Sequence, residues 1–156
     1  MFGLAVALQM CTLYALAQQF EGVPAKRGHA AGKYDSQALT YNYVEGGFQQ
    51  IQGFTNATLV FKSEAKPKQN RHLNLTLMYQ APGKVDLEGP FSLSGLSMFW
   101  GGDVSWYTKG KSKCTITLTK ATPTEVEGTA DCPLLHDNFG ELGKPLTNVK
   151  FYATTK

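Results

Sequence analysis

Three histidines, His29, His72 and His136, are the side chains best suited to hold a metal or to move a proton near neutral pH. None has another histidine two or four positions away, so no strand or helix face carries a pair of metal ligands. His136 stands beside Asp137 and near Glu141 in the stretch PLLHDNFGE, the one local grouping of an imidazole with carboxylates. A metal or general-base site is the chemistry it could support. For acyl transfer, the Ser- and Gly-rich stretch FSLSGLSMFWGG over 91–102 lacks the G-x-S-x-G turn that presents a serine nucleophile. The chain also has no Gly-rich phosphate loop and no EF-hand pattern, so no cofactor and no metal is expected, and a non-catalytic role is favoured.

Binding chemistry has better candidates. Phe99, Trp100, Trp106 and Tyr107 flank a Gly101-Gly102 turn; if Trp100 and Tyr107 both faced out, they would offer a stacking platform for a sugar ring or an apolar partner. Alternation predicts Val104 and Trp106 inward and Tyr107 outward. Lys109, Lys111 and Lys113 share one parity with Thr115, Thr117 and Thr119, which predicts a basic stripe on the outer face of a strand. A second basic stretch, Lys62, Lys66, Lys68 and Arg71, surrounds an expected hairpin loop. Asn56 and Asn74 open N-x-T sequons.

Compartment follows from the first residues. Met1 to Ala17 reads MFGLAVALQMCTLYALA, without one charged side chain, and Ala15-Leu16-Ala17 supplies a small-x-small cleavage pattern. The apolar run fits a signal peptide and is shorter than the ~20 residues that span a bilayer. Cleavage after Ala17 is expected, with no membrane span thereafter and a secreted or periplasmic destination. No Lys or Arg precedes the apolar run, which places the expected true start upstream of Met1. Cys11 follows the bulky Met10, which disfavours lipid attachment. Its removal leaves Cys114 and Cys132, an even pair in an oxidising compartment.

The elements that must position these residues are strands. Leu39, Tyr41 and Tyr43, then Ala57, Leu59 and Phe61, then Leu73, Leu75, Leu77 and Tyr79 alternate with polar neighbours, and so do Phe91 with Leu93 and Val149 with Phe151 and Ala153. Breaks fall at Gly46-Gly47, Pro67, Pro82-Gly83, Gly89-Pro90, Gly101-Gly102, Gly140 and Gly143. No window keeps the helical spacing of apolar residues. Placing Cys114 opposite Cys132 sets Ile116 against Ala130, Leu118 against Gly128 and Lys120 against Val126, and leaves Thr115, Thr117 and Thr119 facing Asp131, Thr129 and Glu127 on the wet side.

The expected organisation is a signal peptide at 1–17, a loosely ordered lead at 18–37 and one β domain at 38–156. The expected fold is all-β: an antiparallel sandwich, Ig-like or Greek-key in type, of about 7–9 short strands with one hairpin disulfide, or alternatively a small closed barrel. Lys and Arg number 15 against 12 Asp and Glu, a net charge of +3 that falls far short of the clustered positive surface of a nucleic-acid binder, so nucleic acid is excluded as the main partner. The leading expectation is a monomeric, non-catalytic surface-binding module for a protein or glycan. A barrel carrying an apolar ligand, and an enzyme built on His136 and Asp137, are the alternatives.

Overall fold

The computed structural model describes residues 22–66, 68–137 and 144–156. The signal segment, Pro67, Gly140, Glu141 and Gly143 lie outside them. Every regular element described is a strand: β1 (Val23–Pro24), β2 (Arg27–Tyr34), β3 (Gln37–Tyr41), β4 (Tyr43–Ile51), β5 (Phe54–Lys62), β6 (Arg71–Tyr79), β7 (Gly83–Lys84), β8 (Gly95–Trp100), β9 (Asp103–Trp106), β10 (Thr115–Thr122), β11 (Glu125–Cys132), β12 (His136–Asp137) and β13 (Leu146–Thr154). They form two antiparallel sheets, one in the order β1-β4-β5-β6-β8-β9-β12 and the other β3-β2-β13-β11-β10-β7. The sheets are not closed into a barrel. The sandwich expectation therefore holds, with thirteen strands among the described residues in place of 7–9.

The two sheets cross steeply. At the start of β2, a Cβ on Gly28 would meet Val44 Cγ1 in β4 at 2.7 Å, whereas at its end the Tyr34 hydroxyl shares a 2.9 Å hydrogen bond with Ser105 Oγ in β9. From β4 to β9 the first sheet advances four strand spacings, about 19 Å at ~4.8 Å each. Six residues of extended chain cover about 20 Å. Strand β2 thus runs across the first sheet's strands, close to perpendicular, and Asn42 alone forms the corner where β3 passes into β4.

Alternation drives this packing. Leu59, Phe61, Leu73, Leu75, Leu77 and Met98 from one sheet meet Ile116, Val126, Val149 and Phe151 from the other, all buried. The Phe61 and Phe151 rings sit 6.4 Å apart. Each such large side chain withdrawn from water contributes roughly 1.5–3 kcal/mol. Tyr79 joins the core and donates its hydroxyl to the Thr122 carbonyl at 2.9 Å, its burial raising the phenol's pKa.

The cysteine hairpin forms as expected in its first half. Cys114 and Cys132 are bridged, and Ile116 pairs with Ala130, Thr117 with Thr129 and Leu118 with Gly128. Beyond Leu118 a bulge shifts the register, so that Lys120 faces Glu127 and Ala121 faces Val126. Without that extra residue the apolar Ala121 would turn outward.

Several local expectations are corrected. The lead is not loose from Val23 onward: β2 lies between β3 and β13, with Ala30 and Tyr34 buried. Gly46 and Gly47 do not break a strand but lie within β4, because at Gly46 (φ +92°) the Thr58 carbonyl oxygen comes within 1.9 Å of where a Cβ would stand. Tyr43 belongs to β4 and faces out. In β9 the faces are reversed, Ser105 being buried against Tyr34 while Val104 and Trp106 are half-buried. Phe91 and Leu93 are no inward strand face; they are 89% and 65% exposed on a loop whose Ser94 is buried and accepts the Met78 N–H.

Candidate functional site

The β5–β6 hairpin carries the first basic stretch, and its loop lies opposite the edge strand β3 across a cleft of about 300 Å³. Residues 38–41 of β3 form one wall. Ser63, Glu64, Lys68 and Gln69 form the other, and Arg71 and Trp100 complete the lining. Their meeting is a consequence of register: Arg71 opens β6 and pairs with Trp100, the last residue of β8. The Arg71 guanidinium lies over the indole, 4.2 Å from its centre, and the Tyr34 ring packs against Trp100 with centroids 5.8 Å apart. A cation held on an indole face is fixed in orientation.

Two buried polar atoms of residues that line this cleft are left unmatched. The Tyr41 hydroxyl and Arg71 Nε are both buried and have no hydrogen-bond partner within the protein. Tyr41 is 3% exposed, and burial pushes its pKa up to about 12, with Arg71 acting in the opposite sense. Among the described residues the ion pairs Lys62–Glu45, Lys120–Glu125, Lys144–Asp35 and Lys144–Asp103 leave Arg71 out.

The other sequence candidates lie elsewhere. Tyr107 follows β9, and its N–H bonds to the Leu96 carbonyl, which sets it four residues from Trp100 along β8, about 13 Å at ~3.3 Å per residue. The two rings form no common platform. The Tyr107 hydroxyl donates to the Leu87 carbonyl and to Glu88, and burial together with that carboxylate raises its pKa. Lys109, Lys111 and Lys113 form no stripe, since β10 begins only at Thr115 and the chain turns at 108–112, where Lys111 and Ser112 donate N–H to the Thr108 carbonyl. Lys109 reaches back to the Gly89 carbonyl, and Lys111 and Lys113 are exposed.

The histidines are dispersed. His29 lies beside Tyr152, and His72 stacks on Phe99 with rings 4.1 Å apart, its pKa lowered by lost hydration and by Lys62, against a smaller opposing effect of Glu45. His136 is buried, with Nδ1 2.9 Å from Ser112 Oγ, and the same oxygen accepts the Thr108 N–H. This pair ties the 108–112 turn to β12. With Ser112 4% and His136 8% exposed, neither presents itself to a substrate. Asp137 pairs with Ser105 in the ladder. Among the described residues no three His, Cys, Asp or Glu side chains gather as a metal site.

At the far end of the first sheet, Phe91 and Leu93 stand exposed, and Ile51, Phe54, Met78 and Phe91 share a second hollow of about 350 Å³. Arg71 in the cleft and Met78 in the hollow are both on β6, seven residues apart, so the two hollows are about 23 Å apart at ~3.3 Å per residue. Of the proposed binding residues only Trp100 belongs to the basic cleft. Arg71 was legible as part of a charged loop, but its stacking on Trp100 was not, because 29 positions separate the two and only the β6–β8 register joins them. No helix among the described residues is long and apolar enough to cross a membrane. No family model, curated protein or solved structure matches the chain.

Proposed function

We propose that the chain is an exported, non-catalytic β-sandwich that recognises a glycan in the cleft between β3 and the β5–β6 loop. The observation that carries this reading is the Arg71–Trp100 pair in the lining of this cleft, together with the exposed polar side chains of the β5–β6 loop. Closely spaced polar side chains around a cation anchored on an indole suit the hydroxyls of a sugar ring, and about 300 Å³ falls at the small end of ligand sites, which run from ~300 to 1,000 Å³. The uncharged apolar start and the Cys114–Cys132 bridge support an oxidising compartment, secreted or periplasmic. The open edges of the two sheets, which form no closed barrel, support the surface-binding reading over an apolar-ligand carrier.

Tryptophan fluorescence tests this directly, because the chain has only Trp100 and Trp106. In a Trp106→Phe background, a panel of neutral and acidic mono- and disaccharides is expected to include at least one that changes Trp100 emission saturably. A panel without any saturable change contradicts the proposal.

A further inference from the structure

The geometry points to a carboxylate-bearing sugar, a hexuronic acid, as the ligand class of the cleft between β3 and the β5–β6 loop. This rests on the cleft being the glycan site. The cleft's charged lining is two cations, Lys68 and Arg71, against one acid, Glu64, and Arg71 has no carboxylate partner among the described residues. Arg71 is also held in place before any ligand arrives, since its guanidinium lies 4.2 Å from the centre of the Trp100 ring, whose other neighbour is Tyr34. A planar fork of N–H donors fixed in this way matches the two oxygens of a carboxylate, and such charge-assisted pairs are about twice as strong as neutral hydrogen bonds.

Arg71 can only donate, and its unmatched Nε, like the Tyr41 hydroxyl, is closed off from solvent, so a ligand would meet the guanidinium through its terminal nitrogens. A neutral sugar hydroxyl can accept from such groups, but it does not compensate the guanidinium charge. A carboxylate does both. Lys68 and Gln69 are exposed on the loop and can close over the rest of the ring, with Ser63 beside them. The carboxylate is distinguished from a phosphate by shape, because a fork favours the planar group, whereas a lysine acts as a point charge on either.

The test titrates the full chain, carrying Trp106→Phe, with D-glucuronate, D-glucose and glucose 6-phosphate while Trp100 emission is followed. Glucuronate is expected to bind at least tenfold more tightly than glucose and more tightly than the phosphate ester. Arg71→Gln is expected to erase the preference over glucose, and Arg71→Lys to keep only part of it. Where Arg71→Gln lowers the melting temperature, Lys68→Gln replaces it, since that side chain is exposed, and it should reduce the preference several-fold. Equal affinity for glucuronate and glucose would overturn the carboxylate assignment while leaving the cleft as a sugar site. Tighter binding of the phosphate ester would overturn it too, in favour of a tetrahedral anion. Silence with all three probes, together with the wider sugar panel, would overturn both proposals.

Discussion

Tyr41 is a buried hydroxyl without a partner, and folding meets the cost of removing it from water without a compensating hydrogen bond. Leaving such a group unsatisfied costs roughly 1–3 kcal/mol, so Tyr41→Phe is expected to raise stability by about 1 kcal/mol, read as a higher urea midpoint at unchanged slope. A lower midpoint would show that the hydroxyl is satisfied in solution. At this scale the sequence was informative where one side chain's environment depends on its immediate neighbours. Leu73, Leu75, Leu77 and Tyr79 were legible because each alternates with a polar residue on a sheet whose outer face is wet. Trp106 and Ser105 were not, because the Tyr34 hydroxyl, which bonds Ser105 from the opposite sheet, lies 71 positions away.

The element least visible beforehand was β2. Its residues Gly28, Ala30, Ala31 and Gly32 carry little apolar bulk, and periodicity weighs bulk. The reason is close approach: a Cβ on Gly28 would stand 2.7 Å from Val44 Cγ1, and one on Gly32 would stand 2.8 Å from Val149. The cysteine hairpin was the most legible element, since two independent signals, thiol pairing and the inward set of Ile116 and Leu118, selected one register. Only the bulge after Leu118 escaped that argument. The bridge closes a separation of 18 residues, for which the chain-entropy model gives about 3 kcal/mol. Replacing both Cys114 and Cys132 by Ala is therefore expected to lower unfolding free energy by about that amount, measured by chemical denaturation. An unchanged midpoint would mean that the β10–β11 and β11–β13 ladders hold the hairpin alone.

Over the whole molecule, two steeply crossed sheets leave a basic cleft at one end of the first sheet and an exposed apolar hollow at the other. The sandwich class and the bridge could be reasoned from composition and alternation, because both are summed properties of many residues. The cleft could not, because it arises where the edge strand β3, a loop of the other sheet and the end of β8 meet in space. Backbone amide shifts of the isotope-labelled protein, recorded during titration with glucuronate, test the central claim most directly. The account predicts shifts confined to Ala38–Tyr41, Ser63–Arg71 and Trp100, including its indole N–H. Shifts gathered instead around Ile51, Phe54, Phe91 and Leu93, or no shifts at saturating sugar, would contradict it.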